Sequence, residues 1–422
     1  MHYIKQKIGL VFAGLALLLA IPAMAQKPLT PQIPGQTYMV TDFGAKGDGK
    51  SINTKPIQDA LDKAALTGGK VVIPKGSFLC GPLVMHGQTN LVLRKGAFLK
   101  LRNEIDSIPV EKERYLNFIT ISNASDIKIS GEGTIDGQGQ VWWEQFTAKQ
   151  LIYRRPQMLF ATHVERLELE GITFLNPPNT HVSLKDCKEV YIHHITIDAP
   201  EKSRNTDGIN ISAKNCLIEY CNIRTGDDNI AVNFGNRNTT ADAPECENIT
   251  IRNCVFGYGH GLSIGSFTAG GLRNMTVQSC KFEGTTSGIR IKTARGRGGV
   301  VENISYSDIT MNNVKWPVFI SAYYPKEPAS PEADPAVALD KTTPVYRNIT
   351  LSDIRIRNAG DAIKIWGVPE SPISNVRFVN VTIDAKKGAQ IYHAKEISFE
   401  RSAVNNAEGE KLKTYNAGVK GL

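Results

Sequence analysis

The chain has 422 residues, with 49 Lys and Arg against 41 Asp and Glu, giving a formal net charge of +8. A chain of this length ordinarily divides into two or three domains unless it is a repeat architecture, which grows along one axis. The modest positive balance fits an anionic partner without identifying one and is as readily a solvated basic surface. No segment beyond the first 25 residues is apolar enough to span a membrane, no cysteine spacing resembles a zinc site, and nothing marks a nucleic-acid binder.

Taken from the start, Lys5 and Lys7 precede an apolar run from Ile8 to Ile21, followed by Ala23-Met24-Ala25 before Gln26. The charge, the short apolar core and the small-x-small ending are those of a secretory signal peptide over residues 1–25. Export to the periplasm or the cell exterior is therefore expected, with 26–422 as a single domain and no membrane attachment after cleavage. Removing the two lysines leaves a charge of +6, that is 8 − 2. The stretch from Pro56 to Ala65 has helical spacing and stops at Gly68-Gly69, with Pro56 suited to a first turn. It reads as a short N-terminal capping helix, since the end coil of a solenoid must be covered. Seven cysteines (80, 187, 216, 221, 246, 254 and 280) leave at least one unpaired. Several recur at matching places, so buried, stacked thiols are expected.

From Leu167 onward the chain keeps restarting. Segments beginning at Leu167, Val190, Cys216, Ile249, Met275, Ile304, Ile349 and Val376 each alternate apolar and polar residues and are rich in β-branched side chains. Period two marks strands. Most restarts lie roughly 23 to 33 residues apart, the spacing of a solenoid repeat. Short strands, one coil per repeat and turn residues between them predict an all-β fold, a right-handed parallel β-helix. Two interruptions, 236–244 and Tyr324–Pro344, read as loops. Asn-x-Ser/Thr triplets at Asn248 and Asn348 resemble glycosylation sites, but Asn falls at a fixed turn position before the strand, where its side chain can satisfy backbone groups.

A second alignment carries the chemistry. The segments starting at Asp207, Asp228, His260 and Ser287 place apolar residues in matching columns, as successive rungs of one sheet would. Adjacent rungs are about 4.7–4.9 Å apart. Asp207, Asp228 and His260 then begin neighbouring rungs, Asp227 precedes Asp228, and Arg290 and Lys292 fall on the rungs beyond, sharing a strand face. Carboxylates so crowded repel one another, which a function must justify. They are also the minimum equipment for glycosidic cleavage, one carboxyl delivering a proton and another acting ionised. Arg290, Lys292 and His260 are placed to bind a carboxylate on a substrate.

Asn205-Thr206-Asp207, Gly226-Asp227-Asp228, Gly259-His260-Gly261 and Arg290-Ile291-Lys292 together resemble, in order and separation, the four signature motifs of glycoside hydrolase family 28, which contains the polygalacturonases. The segments Asp42–Gly49 and Gly133–Gly139, with Trp142-Trp143, are also similar to that family. The resemblance implies a hydrolase of α-1,4-galacturonosidic bonds in pectin acting with inversion. Asp227 would be the general acid, Asp207 and Asp228 would activate water, and His260 would tune the acid. Arg290, Lys292, Asn205 and Tyr324 would bind an anionic galacturonan, with Tyr323 the lesser candidate for the tyrosine. Neither metal nor cofactor is implied, and a monomer is expected. Asn210 and Asn229 stand where many relatives carry Asp and Cys, and are expected to alter subsite contacts. The alternatives are a rhamnogalacturonan hydrolase, whose relatives often lack His260 and the Arg290/Lys292 pair, a calcium-dependent pectate lyase on the same fold, and a non-catalytic glycan-binding β-helix.

Overall fold

The computed structural model describes residues 27–235 and 245–422. The putting-together of its strands follows from one repeated pairing, parallel throughout the main sheet system. Leu167 pairs with Val190, Val190 with Cys216, Cys216 with Ile249, Ile249 with Met275, Met275 with Ile304, Ile304 with Ile349 and Ile349 with Val376. These are the eight restart residues of the sequence, stacked in one buried column. The chain is therefore a right-handed parallel β-helix. The proposed leader and the 236–244 loop lie outside the described residues. Among the described residues no helix is long and apolar enough to cross a membrane.

Each coil buries one side chain above its counterpart in the coil before. Ile135, Phe174, Ile197, Ile223, Phe256, Phe282, Met311, Ile356 and Ile383 form one such column. Within it the Phe256 and Phe282 rings lie 4.7 Å apart. Branched and aromatic residues suit these sites because a single coil cannot bury its inner face alone. All seven cysteines are buried free thiols. Cys221, Cys254 and Cys280 immediately precede paired strands and occupy consecutive coils, as small apolar fillers.

The turns carry a different repeat. Asn215, Asn248, Asn274, Asn303, Asn348 and Asn375 adopt left-handed backbone angles, which Asn tolerates better than most residues. Their side chains bond to each other rather than to the backbone: from Asn248 onward, Nδ2 of each donates to Oδ1 of the Asn one coil earlier, at 2.9–3.3 Å. The amides of Asn248 and Asn348 are thus committed to a ladder.

Helix α1 (Thr54–Thr67) begins two residues before Pro56 and ends at Gly68, whose φ of 69° lets the chain turn away. It lays Ile57, Ala60, Leu61 and Ala64 on the first coil. A second helix, α2 (Gln140–Thr147), was not legible in the sequence. Its Trp142 is wholly buried and meets Tyr115 edge-on at 4.9 Å. The Tyr324–Pro344 loop does not stand off into solvent. Tyr323 Oη donates to Asp334 Oδ2 at 2.6 Å, Lys364 Nζ pairs with Glu327 at 2.7 Å, and His393 Nε2 lies 2.9 Å from Pro331 O.

Because columns share one core, damage at a central coil is felt throughout. Phe282→Ala should lower unfolding stability by about 3–5 kcal/mol through the cavity it leaves. Urea denaturation followed by circular dichroism tests this, and a change within error would show that the stack contributes little.

Candidate active site

Four successive rungs build the site. Ile209 pairs with Ile230, Ile230 with Leu262, and Leu262 with Ile289. Counting back two residues, Asp207, Asp228, His260 and Ser287 begin these rungs, the column anticipated from the sequence. Backbone bonds lock it: Gly208 N donates to Asp228 O and Asn229 N to Gly261 O, both at 2.9 Å. Arg290 and Lys292 share the single strand Ser287–Lys292, one rung beyond His260, and so lie on one rung rather than two.

Tight turns place the carboxylates. Gly226 approaches the preceding coil so closely that a Cβ would fall 1.9 Å from Ser203 O. Gly261 (φ 75°) would likewise strike Ser287 O at 1.9 Å, and a Cβ on Gly259 (φ 128°) would fall 2.6 Å from Thr225 Oγ1, so the backbone on both sides of His260 can follow its path only with glycine. Asp227 O accepts from Thr225 Oγ1 at 2.7 Å and from His260 N at 2.8 Å. Asn229 departs from expectation. Its side chain is wholly buried, donating to Ile223 O and Tyr258 O and accepting from Gly261 N at 2.8 Å. It braces the His260 turn and offers no subsite contact, because its polar atoms are spent on backbone. Asn210 does face the trio, its side chain opposing the upward shift of the Asp207 carboxyl.

The three carboxylates meet three environments. Asp228 is 5% exposed and accepts from Lys292 Nζ at 2.7 Å, Ser263 Oγ at 2.8 Å and Arg290 Nη1 at 3.1 Å. Asp227 accepts from its neighbour's amide, Asp228 N, at 2.9 Å. Its Oδ1 also lies 2.9 Å from His260 Nδ1, and its Oδ2 accepts from Asn205 Nδ2 at 3.3 Å. Burial pushes the Asp227 carboxyl up, but the His260 hydrogen bond and charge, with Lys292 and the Asp228 amide, hold it below the ordinary value. Asp207 has no such cation of its own. Burial, then the charges of Asp227 and Asp228, push it up to about 7 against the opposing Asn210 amide and Lys292. His260 is raised above the usual imidazole value, first by its hydrogen bond to Asp227 and against the cost of burial.

The structure thus gathers every residue proposed from the sequence. Asn205 sits between Asp227 and Arg155, whose Nη2 donates to Asn205 Oδ1 at 2.9 Å. The Tyr324 ring faces Lys292 Nζ at 5.2 Å and the Arg290 guanidinium at 5.6 Å, and its carbonyl accepts from Arg297. Tyr323 is engaged by Asp334 instead. Arg290 and Lys292, read as cations for a substrate, are first of all the partners of Asp228. Two residues escaped sequence reasoning. Ser263 was visible in principle, because it pairs with Arg290 and so points outward beside it. Arg155 carried no signal, lying in an irregular segment. Donor atoms of Asp227, Asp228 and His260 approach within 4.8 Å of one another, close enough to suggest a cation site. Lys292 and Arg290 already supply the positive charge there, and a further cation would be repelled by both.

The family model for glycosyl hydrolases family 28 matches residues 65–403. The chain belongs to that family. It is 34% identical over 366 residues to a probable polygalacturonase of Vitis vinifera, covering 82% of this chain and 73% of the relative. It is 32% identical over 398 residues to an endo-polygalacturonase of Pectobacterium parmentieri, covering 88% and 94%. Among solved structures, the polygalacturonase of Erwinia carotovora ssp. carotovora superposes with a TM-score of 0.70 at 28% identity, covering 95% of this chain and all (100%) of that one. This family-28 chain is accordingly a glycoside hydrolase.

The His260–Asp227 pair makes a direct prediction. Removing the carboxylate charge in Asp227→Asn removes the largest cause of the histidine's upward shift, so the His260 imidazole should titrate at lower pH than in the wild type. NMR titration of the imidazole resonances measures it; an unchanged midpoint would show that the pair does not form.

Proposed function

We propose that this glycoside hydrolase cleaves α-1,4-galacturonosidic bonds in pectin by an inverting acid/base mechanism and that it acts outside the cytoplasm. The observation that carries the reading is the differentiated carboxylate trio beside three cationic side chains, in a family-28 chain similar to relatives named polygalacturonase. A polymer bearing one carboxylate per sugar is what a cleft lined by Arg290, Lys292 and His260 attracts.

In the mechanism proposed, Asp227 protonates the leaving glycosidic oxygen. Its carboxyl shares a proton with His260 Nδ1, and the raised imidazole keeps that proton resident in the pair at slightly acidic pH. Asp207 and Asp228 hold the attacking water on the opposite side of the sugar. In its ionised fraction a carboxyl raised to about 7 is a stronger proton acceptor than an ordinary one, so Asp207 would act as the base where the pH is high enough to ionise it. Asp228, pinned by Lys292 and Ser263, orients the water. Arg290 spends one nitrogen on Asp228, leaving the rest of its five-donor fork for a uronate carboxylate. Attack by water on the far face inverts the anomeric centre, as in other enzymes where acid and base flank the bond. Of the rival readings, a lyase requires a calcium ion where Lys292 and Arg290 already stand, and a binding module leaves the costly trio without a purpose. The single catalytic domain from 26 to 422 and its action as a monomer belong to the same proposal.

Two outcomes are expected. Digestion of polygalacturonate should yield saturated ends of inverted configuration by NMR, at a rate unchanged by EDTA; unsaturated uronates absorbing in the ultraviolet, with loss of activity to chelator, would mean a lyase. Asp227→Asn should lower turnover by about 10²–10⁴-fold while binding persists, because an amide keeps the shape but has no transferable acid proton. Near-full turnover in a folded variant would remove Asp227 from the acid role.

A further inference from the structure

On the N-terminal side of the trio the cleft does not run out along open coils. A hairpin, Val110–Glu111 and Arg114–Tyr115, rises there beside the irregular segment that follows α2. The two are tied by backbone: Tyr115 N donates to Arg154 O at 3.1 Å and Arg154 N to Glu113 O at 3.2 Å. Tyr115 anchors this wall through Trp142 and meets Tyr153 edge-on at 5.8 Å. Arg155 is 5% exposed, donates to Pro178 O and Arg204 O at 3.0 Å, and lies 3.9 Å from the Phe146 ring. The wall is therefore built, not a loose excursion.

Between it and the catalytic rungs lies a cavity of about 580 Å³, lined in part by Arg114, Tyr153, Arg154, Arg155, Asn179 and Asn205. Asn205 is shared with the catalytic centre, one end of its amide on Arg155 and the other on Asp227. Arg114 is half-buried, and burial together with the neighbouring Arg154 charge disfavours its cationic form. Among the described residues neither the Arg114 nor the Arg154 guanidinium has a hydrogen-bonding or ion-pair partner, although both line the same cavity. Like charges placed together are costly where one of them, Arg114, is half-buried; Glu113 lines the same cavity but forms an ion pair with neither arginine, and a bound anion would relieve the pair.

We propose that this pocket is a terminal subsite: Arg114 and Arg154 bind the carboxylates at one end of an acidic polysaccharide chain, so that cleavage is counted from that end. The inference rests on the galacturonan reading and deepens it. The wall formed by the hairpin and the Arg154 segment stops the chain, and Asn205 sets the distance from stop to scissile bond at a short, fixed number of sugars. At the opposite side the Tyr324–Pro344 loop is pinned to Lys364 and His393, on coils beyond the catalytic rungs.

The test compares wild type, Arg114→Ala and Arg154→Ala on polygalacturonate and on oligogalacturonides, with folding checked by circular dichroism. Wild type should release one fixed short product from the first minutes with slow loss of viscosity. Each variant should raise KM for oligogalacturonides by about tenfold, the loss of one charge-assisted hydrogen bond. If a variant fails to fold, the wild type alone decides: oligogalacturonides methyl-esterified at the terminal sugars should be poorer substrates by a similar factor. A broad ladder of products with rapid loss of viscosity, or unchanged KM in folded variants together with indifference to terminal esters, would overturn the terminal subsite while leaving the galacturonan reading intact. No hydrolysis of polygalacturonate by the wild type would overturn both.

Discussion

Parallel register is the constraint on which everything else in this molecule depends. Once one coil lies on another without slip, each residue is fixed above its counterpart at the strand spacing of about 4.8 Å. That single rule makes a continuous apolar core from coils that could not bury their inner faces alone. It also decides what may be placed on the outer face. A charge at one position stands within reach of whatever occupies the same position one coil away.

The carboxylate trio uses that proximity in both senses. Burial and then repulsion between stacked carboxylates raise Asp207, while His260 on the next rung does the opposite for Asp227. Asp228 is met by Lys292 and Arg290, which come from a strand two rungs further on. Asp207 and Asp227, chemically identical side chains, are thereby shifted in opposite directions. The fold supplies the spacing, and the residues at the next rungs supply the sign of each shift.

Much of this was legible from the residues because the repeat writes its own register. The restarts at Leu167 through Val376 are a real column, since apolar alternation and β-branching report the inner face directly. The same alignment brought Asp207, Asp228 and His260 to adjacent rungs. What the pattern could not show lies where the repeat is broken or where a side chain turns inward. Helix α2, the hairpin at Val110–Tyr115 and Arg155 belong to an excursion with no periodicity to follow. Asn229 occupies a position beside Asp228, yet its side chain points into the coil, held there by Ile223 O, Tyr258 O and the Gly261 amide. The engagement of Lys292 with Asp228 depends on a reach across two rungs, which sequence spacing alone does not measure.

The asparagine ladder has a consequence beyond holding turns in place. Every amide in it points the same way along the axis, Nδ2 toward the earlier coil, from Asn375 down to Asn215, and Asn215 Nδ2 hands on at 2.6 Å to the carboxylate of Glu189. Aligned amides polarise one another, each bond strengthening the next by about 10–30%. The row is thus a small electrical filament on the surface of the solenoid, its positive, donor end capped by an acid. Glu189 also receives the Leu29 backbone amide at 2.8 Å, so the same acid that terminates the filament fastens the segment leading into the first coil. Order laid down along one edge of the molecule is thereby coupled to the anchoring of its beginning.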